Sequence, residues 1–243
     1  MRLARAIALG GVTSRRKAED LIIRGLVSVN GILVNDVATE VDPDQDTIEV
    51  EGRVINREQN VYLMLHKPAG YISSVKDTHG RPTVLELLKG VDARVFPVGR
   101  LDYDTEGLIL LTNDGEFANL MMHPRYEIIR VYHAQVNGTP AAEKLQQLAQ
   151  GVMIDGEMTA PAQVRLLKSE GGRAWVELKI HEGRKRQVRK MLAAVGHRVV
   201  KLKRVKLGFL ELGSLRPGEF RFLTAREVKE LINEASADKK DRG

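Results

Sequence analysis

The stretch GRLDYDTEGLILLTNDGEF, residues 99–117, sets four carboxylates, Asp102, Asp104, Glu106 and Asp114, around an apolar run in a chain of net charge +6. Carboxylates so close in sequence serve several chemistries. One can attack or stabilise an electrophilic sugar carbon, a pair can share acid and base work, and others only close turns. Asp104 and Glu106 flank Thr105 and read as solvated loop residues; Asp114, before Gly115, reads as a turn or helix-capping carboxylate. Asp102 stands apart. It follows Gly99-Arg100-Leu101 at the end of the apolar strand RVFPVG, where a rigid scaffold presents a side chain to a cleft. A metal site finds no support: the six histidines contain no pair at helical ligand spacing, and cysteine is absent.

The elements that must position Asp102 are legible in the same way. The 243 residues suffice for one large or two small domains, with a core of Leu, Val and Ile because aromatics make up only 5%. Residues 1–60 carry 8 Lys+Arg against 10 Asp+Glu, so the basic excess lies beyond them. It is densest from Lys179 to Lys206, with 11 basic residues and one acid, Glu182, which points to a polyanionic partner. The absence of cysteine fits a reducing compartment, and no run approaches the roughly 18 apolar residues of a membrane span, so a soluble cytoplasmic protein is expected.

The N-terminal stretch reads as a helix. TSRRKAEDLIIRGLV then begins with a cap at Thr13 or Ser14 and places Ala18, Leu21, Ile22 and Leu26 at helical spacing. Arg15, Arg16 and Lys17 fall in its first turn, where the helix dipole disfavours cations and favours phosphate. LVSVNGILVND predicts a hairpin about Asn30-Gly31, and TIEVEGRVI one more strand, so residues 1–57 form a small α+β unit ahead of a linker. Beyond it, VYLMLHKPAGYISSV predicts two strands about a Pro-Ala-Gly turn, TVLELLKGV a short helix, and LILLT, IIRVYHAQVNG and RAWVELKI strands. NDGEFANLMMHP, PAAEKLQQLAQGV and GRKRQVRKMLAAVGH predict helices. No connection is long enough for repeated parallel crossovers. The expected fold class is α+β: a mixed, mainly antiparallel sheet flanked by helices over 61–235, and a disordered tail over 236–243.

Two resemblances sharpen this reading. SRRKAEDLI followed by GLVSVNG resembles the S4 RNA-binding domain over residues 1–57. GRLDYDTEGLILLTNDGEF, LHKPAG and IHEGRKRQVRKML resemble, in order, the motifs of pseudouridine synthases of the RsuA/RluB form. The resemblance implies that Asp102 is the nucleophile, Tyr132 the active-site tyrosine and Arg189 the arginine that pairs with the aspartate. Arg130 stands where the family usually has lysine. The implied reaction isomerises uridine in ribosomal RNA, with large-subunit RNA the preferred target, and needs neither metal nor cofactor. Arg100, Arg184, Lys185, Arg186, Lys203 and Arg204, with Arg15, Arg16 and Lys17, are the expected RNA contacts. The expected protein is a monomer with no membrane partner, acting on free RNA or on a ribosome assembly particle.

Two other classes stay open. One is a non-catalytic RNA-binding or ribosome-assembly factor. The other is a glycoside hydrolase that uses Asp102 with Asp104 or Glu106 as its carboxylate pair, which the single Trp and five Tyr make a poor fit for a sugar cleft.

Overall fold

The computed structural model describes residues 1–56 and 58–237. The chain divides into two units, Met1–Val61 with Val91–Val95, and Tyr62–Gly90 with Phe96–Gly243.

In the first unit, helices α1 (Leu3–Leu9) and α2 (Arg15–Ile23) pack on strands β1 (Val27–Val29), β2 (Ile32–Val34), β3 (Ile48–Val50) and β4 (Arg53–Val54), ordered β2-β1-β3-β4 and antiparallel throughout. Ser14 caps α2 by accepting from the Lys17 amide. The helix ends before Leu26, because Gly25 turns left-handed at φ 67° and the Gly25 and Leu26 amides return to Ile22 and Leu21. Leu3, Ile7, Ala18, Ile22, Val27 and Ile48 form the core. Asn30 and Gly31 both have positive φ, as a two-residue hairpin with the twist of its strands requires. Glu51 and Gly52 do the same, so the single strand expected over TIEVEGRVI is a second tight hairpin, β3 and β4.

The second unit contains β5 (Tyr62–Lys67), β6 (Phe96–Val98), β7 (Glu106–Thr112), α3 (Gly115–Met122), β8 (Arg130–Asn137), α4 (Ala142–Gln150), β9 (Met153–Ile154), β10 (Glu157–Met158), β11 (Gln163–Glu170), β12 (Arg173–Ile180), α5 (Gln187–Ala194), β13 (Val199–Leu207), β14 (Leu210–Glu211), β15 (Phe220–Phe222) and α6 (Ala225–Ala237). Nine strands form a mixed sheet of order β11-β12-β8-β13-β7-β5-β15, with β14 beside β13 and β6 beside β7. Every pairing is antiparallel except that of β13 with β7, which joins through only Lys203 with Glu106 and Arg204 with Gly107. Strand alternation sends Ala134, Val136, Val176 and Leu178 onto Leu148 of α4 and Met191 and Leu192 of α5. Met64, Leu108 and Leu110 pack with Phe117 of α3 and Leu231 of α6.

Further expectations change. The second strand after Pro-Ala-Gly does not form; residues beyond Gly70 make one bridge, Ile72 to Thr83, and Ser73 binds the Asp102 loop at Leu101. TVLELLKGV forms only a 3-10 turn, Val84–Leu87, held by a Thr83–Glu86 capping box. The basic helix starts at Gln187, because Arg186 is left-handed at φ 55°, so Arg184, Lys185 and Arg186 lie in a loop. Of the expected tail, Ser236 and Ala237 close α6, and 238–243 lie outside the described residues.

Candidate active site

Asp102 occupies the connection from β6 to β7, where the Thr105 amide donates to the Asp102 carbonyl at 3.0 Å and closes a tight turn. This turn is held from below by Lys67, the last residue of β5. Its side chain is fully buried, and Nζ donates to the carbonyls of Thr105 at 2.8 Å, Asp102 at 3.0 Å and Pro68 at 3.1 Å. Burial pushes the Lys67 ammonium down to about 8, against the opposing pull of Asp104, Asp102 and Glu106. Ser73 bonds both the amide and the carbonyl of Leu101, and the Gly70 amide donates to the Tyr103 carbonyl at 2.8 Å. The loop is therefore fixed by its own backbone contacts while the Asp102 side chain stays 34% exposed.

That side chain borders a cavity of about 520 Å³. Tyr132 reaches the cavity from β8, beside Arg204, its ladder partner on β13, and Arg130, two residues back on the same strand face. Arg100 and the loop residues Arg184, Lys185 and Arg186 complete the basic lining. Arg184 is already engaged: it meets Glu182 at 3.2 Å and Glu157 at 3.4 Å and donates to the Met158 carbonyl at 2.7 Å, joining the β9–β10 hairpin to the rim. Lys185 and Arg100 are exposed.

The arginine nearest the candidate nucleophile is not the expected one. Arg186 Nη1 lies 3.8 Å from the Asp102 carboxylate and 3.5 Å from that of Asp104. Arg189 instead pairs with Asp104 at 3.0 Å and donates to the Asp104 carbonyl at 3.0 Å. No ion pair joins Asp102 to Arg189 among the described residues. Burial lowers the Arg189 pKa, and the charge of Asp104 opposes that. Asp104 is thus more than a solvated loop residue, whereas Asp114 caps α3 by accepting from the Glu116 and Phe117 amides. Glu106 opens β7.

Lys203 is not brought to this cavity. Neighbours on a strand face opposite ways, so while Arg204 enters it, Lys203 lines a separate cavity across the sheet with His133 and Lys179. Arg15, Arg16 and Lys17 are exposed in the first turn of α2, in the other unit. The sequence alone assigns no role to Lys67 or Gly107. The usable signal for Lys67 was a cation ending the apolar run YLMLHK just before Pro-Ala-Gly. Gly107 has φ 117°, and a Cβ there would lie 2.2 Å from the Arg204 carbonyl oxygen, so only glycine lets β7 approach β13.

An α+β sheet enzyme with a carboxylate and a tyrosine at one basic cavity, in a chain that also carries a small S4-like unit, is the class this arrangement defines. Residues 61–194 match the family model for RNA pseudouridylate synthase, and residues 1–47 that for the S4 domain. Ribosomal large subunit pseudouridine synthase B of Bacillus subtilis (strain 168) is 49% identical over 232 residues, 95% of each chain. An uncharacterized RNA pseudouridine synthase of Aquifex aeolicus (strain VF5) is 42% identical over 233 residues, 96% of this chain and 94% of its own. The crystal structure of a pseudouridylate synthase aligns with a TM-score of 0.69 at 32% identity, covering 95% of this chain and 99% of the other. The chain belongs to the RNA pseudouridylate synthase family and carries an S4 domain.

Proposed function

We propose that this protein converts a specific uridine of large-subunit ribosomal RNA to pseudouridine, with Asp102 as the nucleophile. The observation that carries the reading is the Asp102 carboxylate, accessible on a loop fixed from beneath by Lys67, at a cavity that also holds Tyr132. The target base must leave the RNA stack, at roughly a few kcal/mol, before C1′ can meet a side chain. Exposed Arg100 and Lys185 are suited to hold the flanking phosphates and offset that cost.

Once the base is in the cavity, the carboxylate takes C1′ as the bond to N1 breaks, or assists a glycal by accepting the C2′ proton. Arg186, with Nη1 3.8 Å from that carboxylate, sets a positive charge beside it. Tyr132 stacks on the uracil and offers its hydroxyl to proton transfer. Arg189 acts one step removed, holding the loop through Asp104. Arg15, Arg16 and Lys17 add a phosphate contact from the S4 domain. The protein works as a monomer in the cytoplasm, on free RNA or an assembling subunit; among the described residues no helix is long and apolar enough to cross a membrane.

The hydrolase alternative needs Asp104 or Glu106 as a second carboxylate; Asp104 is committed to Arg186 and Arg189, and Glu106 is not among the residues lining the cavity. The test is Asp102→Asn, which keeps the size of the side chain and removes its charge. Tritium release from RNA labelled at uracil C5, together with product mapping, should fall to background while RNA affinity and melting temperature hold. Near-normal pseudouridine yield from the folded variant would refute the assignment. A wild-type protein that binds RNA and never releases tritium would establish the binding factor instead.

A further inference from the structure

Two guanidinium groups lie together at the cavity, and neither is in contact with a carboxylate among the described residues. Arg204 is only 4% exposed; its Nε donates to the Leu108 carbonyl at 2.7 Å, and its Nη2 is buried without a hydrogen-bond partner among the described residues. Arg130 spends its donors on the carbonyls of Ile128, His181 and Met121, at 3.0 to 3.1 Å. Neither forms an ion pair among the described residues. Burial lowers the Arg130 pKa, and the adjacent charge of Arg204 lowers it further. Taking a cation out of water is costly unless an opposite charge offsets the loss. Among the described residues none lies at contact, so the geometry calls for an anion from outside.

The reaction makes one. When the bond from C1′ to N1 breaks, its electron pair goes to the base, which becomes an anion with charge shared between N1 and the carbonyl oxygens. We propose that Arg204, with Arg130 beside it, receives a uracil carbonyl oxygen and stabilises this anionic base until C1′ is joined to C5. The proposal rests on the Asp102 reading and deepens it. The atoms balance as an isomerisation: one C–N bond breaks, one C–C bond forms, C5 loses a proton and N1 gains one. The same contact serves both orientations of the base. A half-turn about the axis through N3 and C6 exchanges N1 with C5 and, at the same time, O2 with O4. A donor fixed beside the carbonyl next to the departing atom therefore meets O2 before the turn and O4 after it. Gly107 suits this role for Arg204, because the close approach it permits fixes the backbone of residue 204 against the strand that follows the Asp102 loop.

The test compares Arg204→Gln and Arg204→Lys with wild type and Asp102→Asn, in single-turnover reactions on RNA carrying uridine or 5-fluorouridine. Loss of the parent nucleoside from nuclease digests reports cleavage of the bond from C1′ to N1. On uridine, Arg204→Gln should slow cleavage by about 10²–10³-fold, the effect of removing one donor to a developing anion, with RNA affinity within about threefold of wild type. Arg204→Lys should recover part of the loss. Fluorine already stabilises the anionic base, so the defect on 5-fluorouridine should be at least about tenfold smaller, following the usual dependence of such help on leaving-group demand. Equal defects on the two substrates, or a loss confined to RNA affinity, would overturn the proposal, as would failure of both variants to fold, which would make Arg204 purely structural. If Asp102→Asn is inactive on both substrates while Arg204→Gln cleaves normally, only the Arg204 role fails. If Asp102→Asn cleaves normally, the nucleophile assignment fails first.

Discussion

Replacing Lys67 by Met tests whether the loop that carries Asp102 is positioned from beneath. Methionine keeps the length of the side chain and removes every donor, leaving the carbonyls of Pro68, Asp102 and Thr105 without their shared ammonium. Three bonds from a charged donor, at about 1.5 kcal/mol net each, set an upper scale of roughly 4–5 kcal/mol. Against this stands the desolvation that lowers the ammonium from 10.5 to about 8, a shift of about 3 kcal/mol toward the neutral form. The variant should therefore lose on the order of 2 kcal/mol at neutral pH, a fall in melting temperature of about 4–8 °C for a chain of this size. Turnover should suffer more than stability, because displacing a catalytic group by about 1 Å costs about 10²-fold. RNA affinity should stay near wild type. The pH dependence follows from linkage. Between about 8 and 10.5 the unfolded chain holds more protons at residue 67 than the folded one, so the wild type gains stability with rising pH through that window. The methionine variant gains nothing there, and the gap between the two should widen. Melting curves from pH 7 to 10 and tritium-release kinetics at saturating RNA make the comparison. A gap that narrows with pH, or unchanged turnover, would refute the reasoning.

Gly107→Ala should destabilise the protein by more than about 3 kcal/mol in denaturant titration, since its Cβ would strike the backbone of Arg204; Gly115→Ala, with open space around it, should stay within about 1 kcal/mol of wild type. Exchanging Arg16 and Lys17 for Ala should reduce the slope of log affinity against log salt by up to about 2, measured by filter binding, and leave turnover at saturating RNA unchanged. Glu227 is held down to about 2, first by its hydrogen bond from Arg221, so it stabilises the fold above pH 4.5 and the contribution fades as pH falls toward 2. Glu227→Gln should melt lower at pH 7, by on the order of 1 kcal/mol because Arg221 is 39% exposed, and the difference should close on acidification.

What was legible in the sequence was whatever local chemistry enforces. Asn30-Gly31 could only turn, Ser14 could cap, and Asp114 before a helical pattern could cap again. The Asp102 loop stood out because turn residues interrupt an apolar stretch. What escaped depended on partners distant in sequence. Lys67 reads as the polar end of a strand until the loop 35 residues later supplies its acceptors. Asp104 and Asp102 are equal candidates for Arg189 until the turn separates them. In VVKLKRVKL the density of charge hid the alternation of a central strand, and β11, with most of its side chains exposed at the sheet edge, offered no apolar pattern. The strand expected after Pro-Ala-Gly was lost to the bonds Gly70 and Ser73 make to the loop.

The place of β13 has a consequence for the order in which the protein is made. β7 and β8 are neighbouring long strands in the chain, yet in the sheet β13 lies between them. As the polypeptide leaves the ribosome, β7 can pair with β5 and β6, and β8 with β12, while a gap remains where residues 199–207 belong. Asp102 and Tyr132 come from opposite sides of that gap. Insertion of β13 joins the two half-sheets and delivers Arg204 in one event, so a nascent chain has no assembled site until its last long strand has emerged.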